Sequence, residues 1–401
     1  MLKKGLKMKL VYLDHNATTP VDERVLSVMI PYFSANFANP SSIYTIAQKA
    51  KEVIEDTRSR VAQLINASNG NIIFTGGGSE ADNLAIKGVA LANMDKGKHI
   101  ITSQIEHHAV LNPCKYLEKL GFEVTYLPVD KYGIVDLDAL RKAIRKDTIL
   151  ISIMYANNET GVIQPIEEIA KIAKEKGVYF HTDAIQAVGK MRINVEQLGV
   201  DLLSMSAHKF YGPKGVGALY VSKGIKIDPI IHGGGHEKGL RAGTENVAGI
   251  VGLARALEIA MERVEEEWER EQRLRDKLEK GLLEKIPDCF VNGHPEKRLA
   301  NTSNIIVKYV EGESMLTYLD AEGICASSGS ACTSGSLEPS HVLIAMGIPP
   351  ELAHGSLRFS LGRSNTEADI DRVLDVLPNI VKKLREISPF GKGKDDLMQR
   401  A

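Results

Sequence analysis

The sequence predicts an α/β protein with a large domain built on a mostly parallel sheet and a smaller α+β domain toward the C-terminus. Apolar segments of strand length alternate with amphipathic helical segments from residue 71 to residue 221. This alternation is typical of βαβ units, in which helices cover both faces of a parallel sheet. A helical pattern then spans 247–286, which is too long for a helix within one compact layer. We therefore expect it to connect a large domain, 17–258, to a small domain formed by 1–16 and 259–401.

The individual elements follow from the same periodicities, taken in chain order. Strands are predicted at 10–13, 71–75, 99–103, 123–129, 148–154, 179–182, 202–205, 218–221, 304–309 and 357–361. Helices are predicted at 22–32, 43–65, 80–93, 110–120, 137–144, 166–176, 247–286, 312–321 and 367–387. A polar, turn-rich link at 14–20 separates the first strand from the first helix. Since ligands of open parallel sheets bind at the carboxyl ends of the strands, candidate site residues are sought there.

Composition excludes several functional classes. The chain has 401 residues, of which 43% are hydrophobic and 25% charged, and its formal net charge is −1. A charge so close to zero argues against a nucleic-acid partner or an anionic membrane surface. No apolar run approaches the ~20 residues of a membrane span, and the apolar part of the basic N-terminus is too short for a signal peptide. Because the four cysteines form neither a disulfide framework nor a CxxC pair, we expect a cytoplasmic location.

A lysine at a strand end is the first candidate for chemistry. Lys209 follows an apolar segment and precedes a Gly/Pro turn, in the stretch SAHKFYGPKG. Burial disfavours the ammonium form of lysine, and only the free amine attacks a carbonyl group. A lone lysine in a turn is more commonly an ordinary exposed residue. Its importance therefore depends on the motifs at the other strand ends.

Four further motifs fall at predicted strand ends. The turn Thr75-Gly-Gly-Gly-Ser-Glu80 offers backbone N–H groups to an anion, although an ordinary Gly-rich turn explains it equally well. His107 supplies an imidazole for stacking or proton transfer, or is a plain loop histidine. Asn158 could bind a carboxylate or phenolate. Asp183 ends an apolar strand, where a carboxylate requires a cationic partner.

The combination is more specific than any of its parts. A phosphate cradle, a stacking imidazole, a buried aspartate and a strand-end lysine together indicate pyridoxal 5′-phosphate. In such sites the aspartate keeps the pyridine nitrogen protonated, so that the ring withdraws electrons, and the lysine holds the cofactor as a Schiff base. The sequence therefore predicts an enzyme that uses this cofactor.

The chain resembles the cysteine desulfurases of the NifS/IscS type, which have the class V aminotransferase-like fold. The resemblance extends from residue 10 to about residue 389 and is carried by YLDHNATTPVD, FTGGGSEADNLAIKG, EHHAV, NNETGVIQP, HTDAIQAVGK, SAHKFYGPKG, HGGGHEKGLRAGTEN, SSGSACTSGSLEPS and SLRFSLGR. It implies a PLP-dependent transferase fold of the aspartate-aminotransferase type. It also implies a homodimer that removes sulfur from L-cysteine to give L-alanine.

The same resemblance implies a role for each matched residue. Lys209 would be the Schiff-base lysine, Asp183 the partner of the pyridine nitrogen, and His107 the stacked ring and proton carrier. Gln186 and Asn158 would reach the ring hydroxyl, with Asn158 also contacting the substrate, and Arg358 would bind the substrate carboxylate. The phosphate would be held by Gly78, Ser79, Ser206 and His208, together with Thr244 of the other subunit.

Cys332 lies in Ser327-Ser-Gly-Ser-Ala-Cys-Thr-Ser-Gly-Ser336, a polar stretch in which a structural cysteine is unusual. Its surroundings favour a mobile loop and a reactive thiol, with an incidental surface cysteine as the alternative. By resemblance it is the nucleophile that takes up sulfur as a persulfide. It is also a candidate transient iron–sulfur ligand shared with a scaffold protein. Cys325 is expected at a strand end and, like Cys114 and Cys289, to be inert.

The sulfur acceptor is expected to be an iron–sulfur scaffold protein of the IscU/NifU-like kind or a tRNA-thiolation carrier. The tail GKGKDDLMQRA lacks the acidic, aromatic character of the housekeeping members, which leaves the partner open. Three alternatives compete with the desulfurase. They are another PLP aminotransferase or β-lyase, a non-catalytic sulfur-relay scaffold, and a metalloenzyme built on His232 and His236. The last is the weakest, because the glycines between these histidines do not form the helix face that such sites require.

Overall fold

The computed structural model describes residues 10–68, 70–328 and 338–387. Its main feature is a seven-stranded sheet with the strand order β2-β8-β7-β6-β5-β3-β4. These strands are β2 (Gly70–Thr75), β3 (His99–Ser103), β4 (Glu123–Leu127), β5 (Thr148–Ser152), β6 (Tyr179–Asp183), β7 (Leu202–Ser206) and β8 (Gly217–Ser222). Strands β7, β6, β5, β3 and β4 are parallel, whereas β8 is antiparallel to both neighbours. The predicted α/β fold with a mostly parallel sheet is confirmed.

The chemistry of the strands explains this arrangement. Strands β3, β5 and β7 are buried along their whole length, as expected for a parallel sheet that is covered on both faces. Strand β8 follows β7 through a ten-residue connection, 207–216, that includes Gly215, which has a φ of +78°. A parallel return would need a crossover of a dozen or more residues, so the short connection makes β8 antiparallel.

The α-helices cover the sheet and build the rest of the chain. They are α1 (Glu23–Met29), α2 (Pro31–Ser34), α3 (Thr45–Leu64), α4 (Gly78–Asn83), α5 (Val89–Ala92), α6 (His108–Glu118), α7 (Leu137–Ala143), α8 (Ile166–Lys176), α9 (Val195–Leu198), α10 (Val247–Lys285), α11 (Gly312–Ala321), α12 (His341–Ala345), α13 (Pro350–Ala353) and α14 (Glu367–Ile387). The helix predicted at 22–32 is two helices, because Pro31 begins a new helix at its first position. A π-helical turn, Leu84–Gly88, joins α4 to α5.

Helix α10 contributes residues to two hydrophobic cores. Its 39 residues extend over roughly 58 Å at the usual helical rise. Leu253 and Leu257, in its first half, pack in the core beside the large sheet. Leu278 and Leu282, in its second half, pack in a separate core. One rigid element therefore joins the two parts of the chain.

The second core lies beside a three-stranded antiparallel sheet of order β12-β10-β9. These strands are β9 (Cys289–Asn292), β10 (Thr302–Val307) and β12 (Ser356–Ser360). The sequence did not predict β9, whose four residues are too short to show a clear period. The N-terminal strand β1 (Val11–Tyr12) pairs with β11 (Ile324–Cys325), which places Val11 and Leu13 in this second core. No helix among the described residues is both long enough and apolar enough to span a bilayer.

Candidate active site

Several of the predicted site residues lie at one edge of the large sheet. Strand β2 ends at Thr75 before the glycine-rich turn, and β7 ends at Ser206 before the turn Ala207–Lys209. Strand β6 ends at Asp183, and His107 follows β3 directly before helix α6. Because parallel strands end at the same edge, residues far apart in sequence become neighbours there.

The glycine-rich turn forms the wall of a cavity of about 420 Å³. Gly77 has φ 153° and ψ −179°, a conformation that is essentially restricted to glycine. A Cβ atom on Gly78 would lie 2.3 Å from Ile185 Cδ1, so a larger residue there would require the Ile185 side chain to move. The Glu80 carboxylate accepts the Gly76 N–H at 2.8 Å and pairs with Arg241 at 2.9 Å, which fixes the turn.

The cavity has the donors that a phosphate group needs. Its lining includes Gly78, Ser79, Ser206 and His208, all predicted, and Thr18 and Lys214, which were not. The Ser206 hydroxyl is buried and has no hydrogen-bond partner among the described residues. A buried hydroxyl without a partner is costly unless a ligand completes it. The cradle therefore fits the phosphate of pyridoxal phosphate.

Lys209 points toward the link that follows the first strand. Its Nζ donates to the backbone oxygens of Asn16, at 2.5 Å, and Ala17, at 2.8 Å. Burial, followed by the charge of Lys209, lowers the pKa of His107 and of His208. The amine thus lies close to both the proposed ring-stacking position and the phosphate cradle.

Asp183 is buried, as predicted, and its charge is costly. One carboxylate oxygen accepts the Ile185 N–H at 2.9 Å. Burial raises the pKa of Asp183 to about 6, while that N–H and the charge of Lys209 oppose the rise. Behind it, burial and the charge of Asp183 raise the pKa of Asp82 well above its usual range. A protonated pyridine nitrogen would give Asp183 the cationic partner that this site favours.

His107 is held as a neutral imidazole. It caps helix α6, where its Nδ1 accepts the Ala109 N–H at 3.1 Å. Burial, followed by the charges of Lys209, His108 and His341, lowers the pKa of His107 to about 4. Because Nδ1 accepts a hydrogen bond, the neutral ring carries its proton on Nε2.

Asn16 connects several site residues and was not predicted. Its backbone oxygen accepts from Lys209 and, at 2.9 Å, from Gln186 Nε2. Its side-chain nitrogen donates to the backbone oxygen of Asn158 at 3.2 Å and to Thr302 Oγ1 at 2.8 Å. The polar link at 14–20 is therefore part of the site rather than a plain turn.

Arg358 lies in the middle of strand β12 and is buried. It donates to Asp14 at 2.7 Å and to the backbone oxygen of Asn158 at 3.1 Å. Its Nε is buried and has no hydrogen-bond partner among the described residues, so the guanidinium retains a donor for an anionic group. Asp14 is a second residue that sequence reasoning missed.

Two predicted residues are not joined to this set. Thr244 is exposed, and it does not line the cavity formed by its own chain. Cys332 lies outside the described residues. Of the other cysteines, Cys114 is buried and burial raises its pKa to about 12, whereas Cys325 ends strand β11 as predicted. The described residues include no cluster of three or more histidine, cysteine or acidic side chains suited to a metal ion.

An amine, a buried carboxylate and an anion cradle on neighbouring strand ends match the aldehyde, pyridine nitrogen and phosphate of a single cofactor. The protein is a pyridoxal 5′-phosphate-dependent enzyme with an α/β fold. More narrowly, the chain belongs to the aminotransferase class-V family, whose model matches residues 11–373.

Known proteins resemble this chain over nearly its whole length. A cysteine desulfurase IscS of Methanosarcina thermophila is 61% identical over 382 residues, covering 95% of this chain and 94% of the relative. A cysteine desulfurase IscS of Dictyoglomus turgidum is 58% identical over 380 residues, covering 95% and 96%. Among solved structures, a NifS-like protein has a TM-score of 0.88 and 42% identity, covering 94% of this chain and 100% of that one. A structure of SspA in complex with cysteine has a TM-score of 0.77 and 39% identity, covering 88% and 98%.

Proposed function

We propose that the protein is a cysteine desulfurase that converts L-cysteine to L-alanine and collects the sulfur as a persulfide on Cys332. The observation that carries this proposal is the meeting of Lys209, Asp183 and the glycine cradle at one sheet edge, with Arg358 beside Asn158. The names of the close relatives support the same activity. Other PLP enzymes share the first three features, so the thiol distinguishes the desulfurase.

The described residues on either side of the stretch that contains Cys332 contact this site. Before it, Ser327 pairs with Arg358 through two backbone hydrogen bonds, of 3.1 and 2.6 Å. After it, the Ser340 hydroxyl donates to the buried Glu159 carboxylate at 2.5 Å, next to Asn158. These two contacts support a role for the intervening residues beside the substrate position.

The substrate would be oriented by its carboxylate on Arg358 and by the Asn158 amide. When bound, pyridoxal phosphate withdraws electron density from the amino acid and weakens its Cβ–S bond. Asp183 would hold the proton on the ring nitrogen, and the Lys209 amine would move the Cα proton. His107, neutral at physiological pH, would transfer a proton at sulfur or nitrogen.

Sulfur transfer then needs only one nucleophile. The Cys332 thiolate attacks the substrate sulfur, so that an S–S bond forms while the Cβ–S bond breaks and its electron pair remains on carbon. A proton completes L-alanine. An acceptor thiolate then attacks the outer sulfur of the persulfide, and the Cys332 thiolate leaves as the S–S bond breaks. We propose an IscU/NifU-like iron–sulfur scaffold as that acceptor, with Cys332 as a transient cluster ligand.

We further propose that the protein is a cytoplasmic homodimer in which Thr244 reaches the partner's phosphate cradle. Its exposure on its own chain suits that role. Three exposed apolar residues that are close in sequence support an interface: Phe33 is 66% exposed, Phe37 71% and Ile43 94%. Reactive thiols suit a reducing compartment. The two hydrophobic cores support domains at 17–258 and at 1–16 with 259–401.

Two variants and one control test the activity. Incubation with L-cysteine should add one sulfur to the Cys332 peptide by mass and release L-alanine. Cys332→Ala should keep the bound cofactor's absorbance but lose alanine and sulfide production, whereas Lys209→Ala should lose that absorbance. Cys325→Ala, seven positions earlier, is the matched control and should behave like the parent. Full activity in Cys332→Ala would rule out the proposed nucleophile.

A further inference from the structure

A second lysine lies within the site and has no part in the chemistry above. The Lys190 Nζ donates to Gln186 Oε1 at 2.6 Å and to Asn16 Oδ1 at 2.7 Å. Both amides are almost fully buried. Lys190 also lines an enclosed cavity of about 20 Å³ together with His15, Lys209 and Glu271. The Lys190 amine therefore contacts both amide groups directly.

The hydrogen-bond donors of Lys190 determine how the Gln186 and Asn16 amides are oriented. An ammonium group has three N–H donors and no acceptor, so the amide atoms that face it must be oxygens. Burial, followed by the charge of Lys209, lowers the pKa of Lys190 to about 7. A neutral amine has two N–H groups, one for each oxygen, and a lone pair that can accept a hydrogen bond. The amide nitrogens of Gln186 and Asn16 already donate to other oxygens, so Lys190 faces both amide oxygens in either protonation state.

With its oxygen turned to Lys190, the Gln186 amide must present its N–H groups on the opposite side. Gln186 Nε2 donates to the Asn16 backbone oxygen at 2.9 Å, the same oxygen that accepts from the Lys209 amine. Likewise Asn16 Nδ2 faces Thr302 and the Asn158 backbone. If the Gln186 amide were flipped, its oxygen would face the Asn16 backbone oxygen that accepts from Lys209. Its N–H groups would then face the Lys190 amine.

We infer that Lys190 is a positioning residue that holds Gln186 as a hydrogen-bond donor toward the ring oxygen of the cofactor. The inference rests on the proposed place of Gln186 beside that oxygen. A donor there stabilises the ionised oxygen, which strengthens cofactor binding and favours loss of the imine proton. The titratable and charged groups that act on Lys190 are Lys209, Glu271 and Arg358.

The test is a double-mutant cycle of Lys190→Met and Gln186→Ala, read by cofactor affinity in equilibrium dialysis and by the pH midpoint of the bound cofactor's absorbance. Each single variant should weaken cofactor binding about tenfold, as expected for one buried hydrogen bond, and move the midpoint to higher pH. The double variant should be no worse than Gln186→Ala alone, because Lys190 acts through that amide. Lys176→Met, at an exposed position, is the control and should match the parent.

The outcomes separate this inference from the proposed function. A normal midpoint in Lys190→Met, or effects that multiply in the double variant, would overturn the role of Lys190 while leaving cysteine turnover by the parent enzyme untouched. An unchanged Gln186→Ala would overturn it together with the assignment of Gln186. Should Lys190→Met fail to accumulate, Lys190→Gln replaces it. Its amide can donate to only one of the two oxygens, so it should keep part, but not all, of the parent's cofactor affinity.

Discussion

Replacing Glu271 by glutamine should change how the stability of the cofactor-free protein depends on pH. Glu271 lies on helix α10, is 8% exposed, and lines the small cavity with Lys190 and Lys209. Arg270 approaches its carboxylate only at 3.4 Å. Burial, and then the charge of Glu267, raises the pKa of Glu271 from 4.5 to about 8. The folded protein therefore keeps a proton that the unfolded chain releases near pH 4.5.

The difference between the folded and unfolded pKa of Glu271 sets the sign and the size of the pH effect on the free energy of unfolding. Between pH 4.5 and about 8 the folded state binds more protons than the unfolded state, so the free energy of unfolding of the parent falls as pH rises. A shift of this size corresponds to at most about 5 kcal/mol. The cavity of about 20 Å³ can hold one water molecule, which relieves part of the burial penalty. We expect the free energy of unfolding of Glu271→Gln, relative to that of the parent, to rise by about 2 kcal/mol between pH 5 and pH 8.5.

Urea unfolding of the cofactor-free parent and variant at pH 5, 7 and 8.5 measures this gain, with refolding checked at each pH. The gap between the two proteins should widen with pH up to about 8 and then remain constant. Glu269→Gln is the matched control, because Glu269 is exposed on the same helix, two residues earlier. The difference in free energy of unfolding between Glu269→Gln and the parent should not depend on pH. A pH-independent gap for Glu271→Gln would refute the claim that Glu271 is buried as the neutral acid.

Two further variants test the substrate clamp and the packing beneath Lys209. Arg358→Lys should raise the KM for L-cysteine by about tenfold or more, because one ammonium cannot replace a bidentate guanidinium; an unchanged KM in the alanine assay would remove Arg358 from the substrate site. Gly189→Ala should lower the free energy of unfolding by roughly 2–4 kcal/mol, measured as a lower Tm. The reason is that Gly189 has a φ of +82° and that a Cβ atom there would lie 2.3 Å from Phe210 Cβ. Gly177→Ala, with a φ of +66° and no atom within 4 Å, is its control and should show the backbone strain alone.

Local sequence patterns predicted the large sheet well because its strands are long, apolar and separated by amphipathic helices. Strand β7, for example, was predicted at 202–205 and extends over Leu202–Ser206. Strand β9 was missed, since Cys289–Asn292 is only partly buried until its last residue. The break at Pro31 was missed although proline signals it, because the apolar pattern continues across it.

Each candidate site residue was inferred from its own local signal, whereas the contacts that connect these residues were not predicted. Lys209, Asp183 and the glycine turn each carry a local signal of strand end, charge or backbone freedom. Asp14 and Asn16 carry none, because polar residues in a short link are ordinary. Their roles arise only when the fold brings Arg358 to Asp14 and Lys190 to Asn16. A residue that acts through contacts distant in sequence leaves no local pattern.

The position of the link explains why it must be polar. It passes from strand β1, which belongs to the second core, to the edge of the large sheet. There the Asn16 backbone oxygen accepts from Lys209, while Asp14 binds Arg358 of strand β12. The same short segment thus contacts the proposed cofactor lysine from one sheet and the proposed substrate clamp from the other. The proposed substrate site therefore draws on contacts from both cores.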